Sequence, residues 1–195
     1  MQNNISTIIL AAGNSSRMGS PKPFLLWKDK TTFLEKIVSE YKKFKCKNIV
    51  LVLNEKVKKI IDSYNYSFLQ NVKIIQNNNL EFGRFYSLKI GLTEIPDTDF
   101  VFIQNIDNPF VNNELLNNIY NNRNEDGYTV PNYNGKGGHP ILIDRQIINY
   151  VINTKINSLN IKDILSNFNR GNFIVNEKSI LYNINTQKEY KAIID

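Results

Sequence analysis

Two spacings of apolar residues alternate along this chain, and their order predicts the fold. Ile8-Ile9-Leu10 and the runs at 48–53, 72–75 and 99–103 are short and almost unbroken, as expected of parallel strands covered on both faces. Between them the spacing turns helical. Phe33, Leu34, Ile37, Val38, Tyr41 and Phe44 share one helix face, with Lys36, Glu40, Lys42 and Lys43 elsewhere, and Thr31 or Thr32 is placed to cap that helix. Val57, Ile60 and Ile61 mark a second helix, Phe85, Leu88, Ile90 and Leu92 a third, and Leu115, Leu116, Ile119 and Tyr120 a fourth. Strands alternating with helices in this way predict an α/β fold built on a doubly wound, mostly parallel sheet.

Beyond residue 120 the pattern changes. Segments 128–131 and 139–143 read as two strands joined by the turn Gly135-Lys136-Gly137-Gly138, a small antiparallel excursion from the parallel core. Helices are expected at 146–151 and 161–168, strands at 173–175 and 180–184, and a last helix capped by Thr186. No repeat, linker or composition shift divides the chain, so residues 1–195 are expected to form a single domain.

A formal net charge of +6 favours anionic partners without naming the anion. No basic run with interleaved aromatics marks a nucleic-acid surface, so a nucleotide or phosphorylated small molecule is the expected partner. Cys46 is the only cysteine, which excludes an internal disulfide and a cysteine zinc cluster and makes it a structural thiol. Neither a signal peptide nor a membrane-spanning run is visible, so a cytoplasmic protein without membrane partners is expected.

The chemistry concentrates in three places. The turn after the first strand, Leu10-Ala11-Ala12-Gly13-Asn14-Ser15-Ser16-Arg17-Met18-Gly19-Ser20-Pro21-Lys22, combines small residues that let backbone approach a ligand with two cations suited to a polyphosphate. It is neither a P-loop nor a dinucleotide fingerprint. Asp107 follows the fourth strand just before Asn108-Pro109; on this residue alone a helix N-cap or Asx-turn is the stronger reading, although a carboxylate there can also ligate a hard cation. His139 is the sole histidine, on the turn Gly137-Gly138-His139-Pro140.

The run Leu-Ala-Ala-Gly-x-Ser-x-Arg-Met-Gly-x-Pro-Lys resembles the signature of the MobA-like nucleotidyltransferases, close to the molybdenum cofactor cytidylyltransferases. The resemblance implies a Rossmann-like, GT-A-type three-layer sandwich and a Mg2+-dependent transfer of CMP from CTP to a phosphorylated acceptor, most simply a molybdopterin, releasing pyrophosphate. It assigns Arg17, Lys22 and Asp107 to catalysis and Leu10, Ala11, Ala12, Gly13, Ser15 and Gly19 to the nucleotide. The stretch Asn77 to Gly91 is similar to the segment contacting base and ribose, which adds Asn77, Gly83 and Ser87, although Ser87 reads equally as a plain helix residue. Arg84, with Phe85 and Tyr86, replaces small residues of the family and offers an acceptor or phosphate contact; Gly138 and His139 fall on the acceptor side, His139 for positioning. Asp107 and Asn185 are the expected metal ligands.

Three departures from the family stand out. Ile106 replaces glycine before Asp107. Asn183 and Asn185 stand where members carry Asp-x-Asp, and residues 157–162 keep little of the acceptor segment Gly-Asp-x-Gly-Ala-Arg. Alternatives to molybdopterin transfer are therefore a cytidylyltransferase for a sugar, polyol or choline phosphate, and a nucleotide-binding homologue without transfer activity.

Overall fold

The computed structural model describes residues 4–28, 30–95 and 97–194. Its centre is an eight-stranded sheet. Strands β1 (Ile5–Ala11), β2 (Asn48–Leu53), β3 (Val72–Gln76) and β4 (Phe100–Asn105) are parallel in the order β3-β2-β1-β4. Beyond β4 the sheet turns antiparallel through β7 (Ile141–Asp144) to β5 (Tyr128–Tyr133), which carries the short β6 (Lys136–Gly137) and, parallel to it, β8 (Arg170–Ile174).

Two helix layers cover the sheet, because each central strand is apolar on both faces. Ile5, Ile9 and Ala11 of β1, with Leu51 and Leu53 of β2, pack under α1 (Phe33–Lys43), α2 (Glu55–Ser63) and α4 (Asn113–Asn121). Ile8 and Leu10, with Val50 and Val52, pack under α3 (Gly83–Leu92), α5 (Arg145–Asn153) and α6 (Ile161–Leu165). The approach of α3 is close. A Cβ at Gly91 would meet Ile8 Cγ2 at 2.9 Å and Val52 Cγ2 at 3.0 Å, so a hydrogen at this position sets the spacing of helix and sheet. Thr32, Asn54, Asn112 and Asp144 cap α1, α2, α4 and α5, each accepting from a backbone N–H three residues on.

Several boundaries differ from the sequence expectation. Segment 180–184 forms no strand. It begins with a 3-10 turn at Lys178–Leu181, and its carbonyls accept from the Asn108 side chain and the His139 N–H in place of a ladder partner. The helix expected over 161–168 stops at Leu165, β7 starts only at Ile141, and β8 begins earlier than expected, at Arg170. Helix α7 (Gln187–Ile194) is capped as expected by Thr186, whose hydroxyl accepts from Glu189 N–H while Glu189 accepts from Thr186 N–H. No described helix is long and apolar enough to cross a membrane. Cys46 is half-buried against the core, and burial pushes its thiol pKa up.

Candidate active site

The strand order reverses between β1 and β4: the chain runs outward from β1 to β3 and returns to β4 on the other side. A crevice opens there beyond the carboxyl ends of the two strands, the usual ligand position in such sheets. A cavity of about 250 Å³ occupies it, lined by the loop after β1, the first turn of α3 and the segment after β4.

The loop is held from below and from the side. Buried Asn54, besides capping α2, donates its amide to the carbonyls of Ala12 and Gly13, both at 3.2 Å. Ser15 takes the left-handed conformation with φ 50°, and its hydroxyl accepts from Lys22 N–H at 3.2 Å, closing the loop on itself. Met18 is fully buried and anchors the far side, where the Gln187 side chain donates to its carbonyl. A Cβ on Gly13 would meet no protein atom within 4 Å, so the missing side chain leaves cavity space and serves no internal packing.

The floor comes from the end of β4. Gln104 accepts from the Tyr41 hydroxyl at 3.0 Å and donates to the carbonyls of Asn105 and Asn108, which fixes the turn carrying Asp107. Buried Asn108 donates to Tyr182 O at 2.6 Å and Ile180 O at 3.3 Å, and Ile184 N–H donates to Asp107 O at 2.8 Å. These bonds carry the late segment up to Asn185 across the cleft. Lys22 Nζ then lies between the two walls, 2.7 Å from Asn185 Oδ1 and 3.4 Å from Asp107 Oδ2. The other Asp107 oxygen, Oδ1, is buried without a hydrogen-bond partner.

On the α3 wall, buried Asn77 donates to Ser87 Oγ at 2.9 Å, and Gly83 begins the helix with φ 74°. Arg84 Nη1 approaches Asn105 Oδ1 at 3.4 Å, and Asn105 Nδ2 lies 3.2 Å from His139 Nε2. Desolvation, with the nearby Arg84 charge adding, holds His139 down to a pKa of about 4, so its imidazole is neutral at ordinary pH. Gly138 serves packing: a Cβ there would lie 2.6 Å from Ile180 O.

The MobA-like NTP transferase domain matches residues 7–166 of this sequence. The chain belongs to that family. Over 186 residues it is 28% identical to the molybdenum cofactor cytidylyltransferase of Escherichia coli K12, covering 95% of this chain and 93% of the relative. It is 33% identical over 121 residues to the 2-C-methyl-D-erythritol 4-phosphate cytidylyltransferase of Azobacteroides pseudotrichonymphae, covering 58% of this chain and 51% of that one. The fold superposes on Rv0371c from Mycobacterium tuberculosis H37Rv with a TM-score of 0.80 at 20% identity, covering 97% of each chain. As a MobA-like protein the chain is a nucleotidyltransferase of the cytidylyltransferase-like type, with the Rossmann-like sheet of its structural neighbours.

Of the residues that the sequence singles out in this MobA-like chain, Leu10, Ala12, Gly13, Ser15, Lys22, Asn77, Gly83, Arg84, Ser87 and Asp107 line one cavity. Asn185 and His139 reach it through Lys22 and Asn105. Ala11 is instead buried in the core, and Gly19, with φ 68°, ends the turn outside the cavity walls. Arg17 is exposed near Glu189, whose carboxyl is held below the usual range mainly by the Asn185 N–H, with the Arg17 charge adding. Asn54, Asn105 and Asn108 escaped the sequence reading. Each follows or ends a buried strand, a position that could have flagged them, but in a chain this rich in asparagine the residue type carries little signal.

Proposed function

We propose that this protein transfers CMP from CTP to a phosphorylated small-molecule acceptor, a molybdopterin above all, and releases pyrophosphate. The observation that carries the reading is the convergence of Lys22 and Asp107, with Asn185 bonded to Lys22 from behind, on a cavity walled by a backbone loop with open space over Gly13. The near full-length similarity to a molybdenum cofactor cytidylyltransferase supports the donor and the acceptor class.

In this reaction an acceptor phosphate oxygen attacks the α-phosphorus of CTP. A new P–O–P link forms, the bond between α-phosphorus and the bridging oxygen breaks, and pyrophosphate leaves with the electron pair. A phosphate nucleophile is already ionised near neutral pH, so no side chain must remove a proton, in keeping with a neutral His139 used for positioning. The protein's work is placement and charge: loop N–H groups and Lys22 meet the triphosphate, and Gly83, Arg84 and Ser87 of α3 line the same cavity. Ala12 lines the cavity, and on this reading its methyl disfavours a purine. Ala12→Gly is expected to shift a CTP/GTP competition toward GTP; an unchanged preference removes the methyl from the specificity argument.

The residues fit a magnesium ion in one respect, since Asp107 keeps a buried oxygen without a hydrogen-bond partner and Mg2+ is commonly held by one or two carboxylates plus substrate phosphates. Asp107 and the Asn185 amide oxygen would hold it. The chemistry it supplies when bound is neutralisation of charge on the phosphate oxygens. A nucleotide-binding protein without transfer is the second reading, favoured by the neutral amide of Asn185 beside Lys22. Pyrophosphate release from CTP and Mg2+ with molybdopterin and a panel of sugar and polyol phosphates decides between them. Release with one acceptor supports transfer; CTP binding without release on any of them supports the second reading.

A further inference from the structure

We propose that Asn185 is a positioning residue for Lys22, and that the Lys22 ammonium stands in for the divalent cation until a nucleotide triphosphate arrives. The inference rests on the nucleotidyltransferase reading and deepens it: the metal can enter this site only together with the nucleotide.

The argument is one of charge and occupancy. Lys22 is largely enclosed, with 12% of its side chain exposed. Its ammonium sits 2.7 Å from Asn185 Oδ1 and 3.4 Å from Asp107 Oδ2, so it occupies the space between the two residues that would hold a metal and engages an oxygen of each. Asn185 is in turn fixed. Its Nδ2 donates to Asn183 O at 3.2 Å and its backbone N–H to Glu189 at 2.8 Å, which leaves Oδ1 pointing at the lysine. With a neutral amide at 185, the single positive charge of Lys22 balances the single negative charge of Asp107. A divalent ion arriving alone meets that balanced pair, with Asp107 Oδ2 and Asn185 Oδ1 engaged by the ammonium and only the buried Oδ1 of Asp107 without a partner. A triphosphate changes both conditions: its oxygens compete for the Lys22 ammonium, which frees Asp107 and Asn185, and its charge draws the cation in. Asn185 thus holds Lys22 beside the place where bond exchange occurs, a role that an aspartate would fill only at the cost of inviting a metal to displace the lysine.

The test measures Mn2+ binding to the full chain without nucleotide, by calorimetry and by the electron-spin signal of free Mn2+. Wild type is expected to bind negligibly. Asn185→Asp and Lys22→Met each leave one uncompensated negative charge and are each expected to bind at least about tenfold more tightly, and the double variant more tightly still. Adding Asp107→Asn to Asn185→Asp is expected to abolish the gain, which places the ion in the site. Wild type binding Mn2+ as tightly as the single variants overturns the proposal, as does a failure of both to gain affinity while their melting curves show them folded. Because no CTP is present, this result stands whatever the nucleotide and acceptor assays show, and CTP binding measured separately reports on the nucleotidyltransferase reading itself.

Discussion

The two walls of the cleft are built differently. The donor wall, formed by β1, β4, the loop over 10–22 and α3, rests on strands buried on both faces and on side chains that bond within the wall: Asn54 to the loop carbonyls, Ser15 to Lys22 N–H, Asn77 to Ser87. The far wall runs from Gly138 through 178–185 to α7, which has no fully buried residue, and it contains no strand beyond β8. Besides the packing of Ile180 and Ile184 in the core, several ties hold it in place. Asn108 donates to its carbonyls, Gly138 packs under Ile180, and Tyr190 donates to Leu26 O while its ring meets Phe33 edge-on. The donor wall is thus regular strand and helix, whereas the far wall is irregular backbone that shares the sheet's core through buried Ile180 and Ile184 and is otherwise held by polar ties.

The sharpest way to break this contrast is to remove the charges where the walls meet. Lys22→Ala or Asp107→Asn is expected to lower kcat for CMP transfer by roughly 100- to 1,000-fold while the fold melts within a few degrees of wild type, as loss of a group aimed at developing charge does elsewhere. A drop under tenfold would place the bond exchange elsewhere.

Asn108→Ala comes next. It strips the late carbonyls of their donor and is expected to cost about 2–3 kcal/mol in urea unfolding. Because Asn185 is released with them, kcat should fall more than CTP affinity. A loss of stability with kcat unchanged would show that the far wall holds itself.

The expected pH behaviour follows from His139. Its folded pKa of about 4 lies below the ordinary histidine value of 6.5, so from pH 6.5 down to 4 the unfolded chain takes up a proton that the native chain refuses. Native stability therefore falls through that window as pH drops, on the order of 3 kcal/mol at most. His139→Gln should flatten that part of the stability curve relative to wild type, and CMP transfer should show no histidine inflection near pH 6.5.

The smallest effect sharpens the contrast between glycines. Gly138→Ala forces a Cβ to within 2.6 Å of Ile180 O and is expected to cost about 1–3 kcal/mol. Gly13→Ala meets no protein atom within 4 Å and should shift stability by under about 0.5 kcal/mol, yet weaken CTP binding severalfold as titrated by calorimetry. Equal stability costs at the two positions would erase the distinction between the walls.

Much of the donor wall is legible in the sequence, because its signals are local. The strand runs, the helical face of α1, the Thr32 and Thr186 caps and the small-residue turn with Lys22 each depend on neighbours a few residues away. The far wall is less legible. Segment 180–184 has the apolar content of a strand, yet its backbone acceptors are claimed by Asn108, a residue more than seventy positions earlier in the chain. Asn105 and Asn108 look like ordinary polar residues of a turn until the fold sets one between Arg84 and His139 and the other under Tyr182.

The sequence by itself determines the alternation of strands and helices, the point in the chain where a phosphate-binding turn follows the first strand, and the family to which both belong. Only the tertiary structure decides that the cation of that turn meets Asn185, that Asn54 rather than a loop residue holds the loop carbonyls, and that Arg17 is exposed outside the cavity. The physical reason is range. Periodicity and capping are written in bonds spanning three or four residues, whereas Lys22 and Asn185 are 163 positions apart and are brought together by a buried sheet that neither of them enters.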